Sequence, residues 1–383
     1  MVITMKKEVF EMDFDPGVLN SEEKVIYGLR SLYEKFGYSQ YRMSRFEEYD
    51  LYVRNKDFLI SDNVITFTDT DGKLMALKPD VTLSIVRASR DEPDSPLKLY
   101  YDENVFRVSG RSRRFREITQ TGLEYLGEID DYVVSEVLQL ACRSLRTISR
   151  NSILDISDLD IVRTAVEELG LKDDLTATIL KYLGQKNVHE IENVCSSAGA
   201  SESDIRRLTD LIRISGDPDK AISILKQGGY SGAAVKHLET LVSLLRQNGF
   251  YDMVRIDFSV VNDMNYYNGT VFKGYVAGIP SGILSGGRYD RLMKRMGKRA
   301  GAIGFAVYLD LLSQATSAKD DYDVDVLLLY DRSSSPEDIS NAVRTLTESG
   351  LSVSAQKNAD TRIRYRKRAV LKGSEAVFDD TVC

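Results

Sequence analysis

The sequence predicts an α+β protein in which strands and helices alternate towards both ends of the chain and a purely helical stretch interrupts the middle. Three observations carry this. Short β-rich runs bounded by turn residues occur at Thr66–Thr70, Lys98–Tyr101, Gly122–Leu126, Val254–Val261 and Val271–Val276. Apolar residues then keep helical spacing from Leu159 to about Gly249. A tail from Asp323 reads strand, Pro336-led helix, strand, which is a βαβ unit.

Composition bounds the class. At 383 residues the chain has room for two or three domains, each with its own core. It is 43% hydrophobic and 28% charged, and no apolar run approaches the ~20 residues that span a bilayer, so no membrane association is expected. The start, MVITMKKEVF, lacks the apolar core and cleavage site of a signal peptide, which points to the cytoplasm. A net charge of −7 argues against broad nucleic-acid binding. Cys142, Cys195 and Cys383, with His189 and His237, offer neither a disulfide framework nor zinc-ligand spacing, so no metal or cofactor is expected.

Taken in order, Ser21–Phe36 opens with Ser21 and acidic residues and spaces Val25, Leu29, Leu32 and Tyr33 helically, predicting a capped amphipathic helix. Asp71–Gly72 marks a hairpin turn and Tyr132–Ile148 a helix. The helical stretch follows, with Leu175, Ile179 and Leu183, then Leu208, Leu211 and Ile212, then Leu238, Leu241 and Leu245 on single faces. After the returning strands, Gly286–Gly287 is expected in a turn and Ile303–Leu312 in a final helix.

Four constellations carry chemistry. In Lys78-Pro79-Asp80-Val81-Thr82, a carboxylate and a hydroxyl two residues apart on an extended segment face one side, which suits capture of an ammonium group; the alternative is a turn before a helix that Thr82 caps. Arg107, Arg111, Arg113, Arg114 and Arg116 put five arginines within ten residues. Arg107, on a strand end behind two tyrosines, suits a phosphate oxygen, and the alternative is a solvated hairpin tip. Gln120, Gly122 and Glu124 share one strand face, where two polar groups need a ligand or partners. Tyr266-Tyr267 and Gly286-Gly287-Arg288-Tyr289 combine aromatic side chains with glycines that allow close backbone approach. The basic run Arg362–Arg368 reads as a small basic surface or a charged terminal strand edge.

These segments together resemble the histidyl-tRNA synthetase core. The resemblance implies a class II aminoacyl-tRNA synthetase-like antiparallel sheet with flanking helices over residues 1–158 and 250–318. A helical insertion over 159–249 and a reduced βαβ, anticodon-binding-like domain over 319–383 complete it. It implies that Asp80, in place of the family's glutamate, and Thr82 hold the α-amino group of histidine. Gln120, Glu124, Tyr266, Tyr267 and Tyr289 would complete the histidine pocket, with Glu124 addressing the imidazole. Arg107, Arg111 and Arg116 would form a nucleotide or anion site. The departures matter as much: Val260–Phe272 is similar to the family's LVRGLDYYTGTVF, but Asn262 stands in place of the arginine, with Asp263 and Asn265 also changed. Leu311 stands where such enzymes clamp the ATP γ-phosphate, and Ser44 replaces the proline of the first motif. Losing one such donor costs ~3–4 kcal/mol of transition-state stabilisation, so adenylation is not expected with two missing.

A synthetase-like core with a histidine pocket, absent adenylation arginines and a short tail resembles the regulatory subunits of ATP phosphoribosyltransferase in histidine biosynthesis. The resemblance implies a non-catalytic chain that joins and activates a short-form catalytic subunit and takes part in histidine feedback. The implied partners are that subunit, free histidine and a second copy, with a homodimer formed through an aromatic face of Phe36, Tyr38, Tyr41 and Phe46; tRNA is not expected. The alternatives are a histidine-tRNA ligase and a free-standing histidine or nucleotide sensor.

Overall fold

Helix α1 (Ser21–Lys35) begins at a capping box, in which the Asn20 side chain accepts from the Glu23 amide and the Glu23 carboxylate accepts from the Asn20 amide, both at 2.9 Å. Asn20 is therefore the cap, one residue ahead of the expected Ser21. The computed structural model describes residues 19–55, 64–92, 94–108, 114–261, 266–312, 322–359 and 362–379. It divides into two compact units, Met1–Ala315 and Thr316–Cys383.

In the first unit, β1 (Ser39–Gln40) and β2 (Phe46–Glu48) precede the short helix α2 (Asp50–Arg54) and the hairpin of β3 (Thr66–Thr68) and β4 (Leu74–Leu77). Gly72, at φ +81°, supplies the left-handed turn residue of that hairpin. Helix α3 (Thr82–Ala88) leads to the long hairpin β5 (Leu97–Val108) and β6 (Phe115–Gly127), then α4 (Asp131–Ile148) and β7 (Ser152–Asp158). Six helices follow: α5 (Leu159–Glu167), α6 (Asp173–Gly184), α7 (Val188–Ser197), α8 (Glu202–Arg213), α9 (Pro218–Gln227) and α10 (Ala233–Gln247), with the two-residue β8 (Ser215–Gly216) before α9. The chain then returns through β9 (Val254–Asp257), β10 (Thr270–Val276), β11 (Leu284–Arg288), α11 (Asp290–Arg295) and β12 (Gly301–Tyr308).

Nine strands make one sheet in the order β1-β5-β6-β12-β11-β10-β7-β9-β8. It is antiparallel except at β1·β5 and β7·β9. Strand alternation gives its faces opposite characters. Leu123, Tyr125, Ile303, Phe305, Leu154 and Ile156 point into the core shared with α1, α4 and α10. Their neighbours Gly122, Glu124, Gly304 and Asp155 point the other way.

Three expectations fail here. Ile303–Leu312 is not a helix: Gly301–Tyr308 is β12, wedged between β6 and β11, and only Leu309–Leu311 turns as 3-10 helix. A short apolar run buried on both sides lacks the alternation that separates strand from helix. Gly286–Gly287 is not a turn either but lies inside β11, where a side chain at Gly286 would meet Phe305 of the neighbouring strand. The expected aromatic dimer face is also not one surface. Tyr38 is buried in the core, Phe36 packs under the Arg143 guanidinium, and Tyr41 is half-buried, which leaves Phe46 exposed beside Phe67.

The second unit is a four-stranded sheet, β14-β13-β15-β16, built from β13 (Val324–Leu329), helix α12 (Pro336–Glu348), β14 (Val353–Gln356), β15 (Tyr365–Lys372) and β16 (Glu375–Phe378). Parallel pairing of β13 with β14 across α12 forms the βαβ unit. The basic run is not a free strand edge: it leads into β15, an interior strand paired on both sides. Arg364 pairs with Asp323, Arg366 with Asp325 and Arg368 with Asp379.

Candidate functional site

Strands β5, β6, β11 and β12 and the turn into α3 enclose a cavity of about 280 Å³ on the polar face of the large sheet. Asp80, Thr82, Gln120, Glu124, Tyr266, Tyr267, Tyr289 and Arg107 all line it. Arg116 does not: it is exposed and pairs with Asp310 at 3.4 Å. Arg111 and Asn262 lie outside the described residues.

Glu124 is the centre of the arrangement. Its position on β6 directs it away from the apolar neighbours Leu123 and Tyr125, and it is only 2% exposed. Thr82 Oγ1 donates to Oε1 at 2.7 Å and Tyr289 OH donates to Oε2 at 2.6 Å. Burial outweighs both bonds and pushes the Glu124 carboxyl up to about 8, with the nearby Asp80 adding to the rise. Near neutral pH this group is therefore largely a neutral acid, able to donate as well as accept.

Asp80 is buried too, and burial raises its carboxyl above the ordinary range despite the bond it accepts from the Leu83 amide at 2.8 Å. The segment is not extended, as spacing suggested. Thr82 is already the first residue of α3, and Asp80 rather than Thr82 caps the helix. Both side chains still reach the cavity, because Asp80 sits on the turn and Thr82 faces β6. Tyr266 stands 4.6 Å from Tyr267 and 5.6 Å from Tyr289, ring centre to ring centre, making an aromatic wall. Burial, first of all, holds the hydroxyls of Tyr101, Tyr266 and Tyr289 far above their usual range, so they act as donors.

Arg107 is fixed from behind, its Nε donating to the Pro79 carbonyl at 3.0 Å, while it also interacts with the Tyr308 hydroxyl. Lys78, fully buried, forms an ion pair with Glu103, and its carbonyl accepts from the Phe106 amide at 2.9 Å. That pair ties the Asp80 turn to the strand that carries Arg107.

Six lining residues escaped the sequence reading: Tyr101, Ser285, Gly304, Phe305, Ala306 and Tyr308. Gly304 matters most, since a Cβ there would collide with Glu124 Oε2 and the Leu123 carbonyl. Gly122 likewise leaves room for the Tyr101 hydroxyl and the Phe305 carbonyl. The only local signal was the strand spacing of Gly304 and Tyr308, hidden by the helical reading of that segment. Among the described residues, no group of three or more acidic, histidine or cysteine side chains is placed to hold a metal.

The cavity can hold a small polar molecule between two buried carboxyls, an aromatic wall and one guanidinium. The sheet that carries it has the class II synthetase architecture, and the family model for histidyl-tRNA synthetase matches residues 11–312. The chain belongs to that family. Within it, the chain is similar to the ATP phosphoribosyltransferase regulatory subunit of Thermoanaerobacter pseudethanolicus, 29% identical over 305 residues that cover 78% of this chain and 79% of the relative. A solved structure described as an ATP phosphoribosyltransferase regulatory subunit/histidyl-tRNA synthetase from Bacillus halodurans shares the fold, with TM-score 0.76 and 23% identity over 97% of this chain and 99% of that one. A chain of the ATP phosphoribosyl transferase (HisG:HisZ) complex from Thermotoga maritima also shares it, with TM-score 0.60 and 21% identity over 76% and 97% of the two chains.

Proposed function

We propose that this chain is a regulatory subunit of ATP phosphoribosyltransferase in the first step of histidine biosynthesis, assembling with a separate catalytic subunit and catalysing nothing alone. The observation that carries the reading is a contrast within one site. The buried acid, hydroxyl and tyrosine set around Glu124 is complete, while Leu311, at the place of the γ-phosphate clamp, packs against the hydrophobic core. A guanidinium at that half-buried place would lose part of its hydration, which favours packing over ATP there.

In this reading free histidine occupies the cavity. Glu124 meets the imidazole, Asp80 and Thr82 meet the α-amino group, and Gln120 and the tyrosines enclose the ring. Arg107 remains as a residual anion contact. Residues 1–158 and 250–318 form the synthetase-like core, 159–249 the helical insertion and 319–383 a reduced anticodon-binding-like domain. The protein works in the cytoplasm as a homodimer; no described helix is long and apolar enough to cross a membrane.

The test is to purify the chain with and without the organism's catalytic phosphoribosyltransferase. Alone it should give no histidine-dependent pyrophosphate–ATP exchange above background, and together the two should form a larger species with enhanced phosphoribosyl transfer. Exchange at ~1 s⁻¹ or faster, in the range of ordinary enzymes, overturns the reading in favour of a histidine-tRNA ligase.

A further inference from the structure

A second cavity, of about 410 Å³, opens on the same face of the large sheet. One row of directly opposed residues joins the two: Gly122 faces Ala306, then Ser285, Lys273 and Asp155 on successive strands. Direct cross-strand partners share a face. Ser285 lines the first cavity, and Lys273 and Asp155 line the second.

Four charged side chains line the second cavity: Asp155, Lys186, Asp257 and Lys273. One pair is internally satisfied. Asp257 accepts from Lys186 Nζ at 2.6 Å, from the Ser259 hydroxyl at 2.6 Å and from the Ser215 hydroxyl at 3.2 Å. Lys186 holds that position from a left-handed backbone, φ 53°, just past the end of α6, a conformation that usually falls to glycine.

The other pair is open. Asp155 and Lys273 are cross-strand neighbours, yet beyond the backbone ladder neither side chain makes a hydrogen bond or ion pair with any described residue. Lys273 leans 5.7 Å over the Tyr275 ring, and the exposed Arg255 flanks Asp155 from β9. Burial, and after it the neighbouring Asp257, push the Asp155 carboxyl up to about 6, the behaviour of a carboxylate that would gain from a cation.

We propose that this cavity binds a free α-amino acid, with the ligand's ammonium group on Asp155, its carboxylate on Lys273 and its side chain beside Tyr275. The four lining charges sum to zero, which disfavours a polyphosphate or a bare metal ion and matches a zwitterion. The volume lies at the small end of ligand sites. This site is separate from the Glu124 cavity and does not depend on what that cavity binds.

The test uses the full chain. Thermal shift followed by calorimetry is run with the twenty L-α-amino acids, with acetate and methylamine as half-ligand controls, on wild type, Glu124→Gln, Asp155→Asn and Lys273→Met. Asp155→Asn is isosteric and removes a half-buried charge, so it is expected to fold; circular dichroism checks each variant. The expected result is at least one amino acid whose binding survives Glu124→Gln, falls at least tenfold in both Asp155→Asn and Lys273→Met, and is not reproduced by either half-ligand. If no amino acid shows binding that depends on Asp155 and Lys273, the proposal is overturned.

Discussion

Replacing Glu124 by glutamine should leave the protein about as stable as wild type near pH 5 and clearly more stable near pH 8. The reason is proton linkage. In the unfolded chain a glutamate loses its proton around 4.5, whereas burial holds Glu124 up to about 8 in the fold. Between those limits the folded state keeps a proton that the unfolded state has released, so wild-type stability falls as pH rises. At 1.36 kcal/mol per pH unit, the window from pH 5 to 8 corresponds to about 4 kcal/mol. Glutamine has the same shape, can accept from Thr82 and can donate to the Tyr289 hydroxyl, so it keeps both contacts without the ionisation. A pH-independent offset of about 1 kcal/mol from rearranged hydrogen bonds is expected on top. Urea unfolding of both proteins at pH 5, 6, 7 and 8 measures the difference directly, and titrations common to both, such as that of Asp155, cancel. Parallel curves, with a gap that changes by less than about 1 kcal/mol across that range, would refute a buried, proton-holding Glu124.

Gly304→Ala places a methyl group against Glu124 Oε2 and the Leu123 carbonyl, so the carboxyl must leave Thr82 and Tyr289. A loss of about 2–4 kcal/mol, with histidine binding in calorimetry weakened more than tenfold, is expected; an unchanged urea midpoint would count against the close approach. Lys78→Met leaves Glu103 without its buried cation and should cost about 3 kcal/mol, whereas adding Glu103→Gln should recover much of that in a double-mutant cycle.

Several elements were legible because their causes are local. The start of α1 carries its own capping box, α12 has Ser335 and Pro336 at its start, and the alternation across Gln120, Gly122 and Glu124 predicted one polar strand face. The strand β12 was not legible. Its alternation is masked by burial on both faces, and its partner β6 lies far away in sequence. Tyr38 looked like an exposed aromatic because nothing local announces that it packs in the core beside α4. The basic run looked free because its acidic partners Asp323 and Asp325 come some forty residues earlier.

By itself, then, the sequence determined the residue types of the site, the absence of an arginine at position 311 and those helices and strands whose pattern is local, since period, capping and motif spacing act within a few residues. Only the tertiary structure decided that Tyr101, Gly304 and Tyr308 complete the cavity, that Arg116 stays outside it, and that Glu124 is buried deeply enough to hold its proton. Those outcomes depend on which strands become neighbours and on how much water their contact removes. Cross-strand register and desolvation are properties of the assembled sheet, and no single segment of the chain carries them.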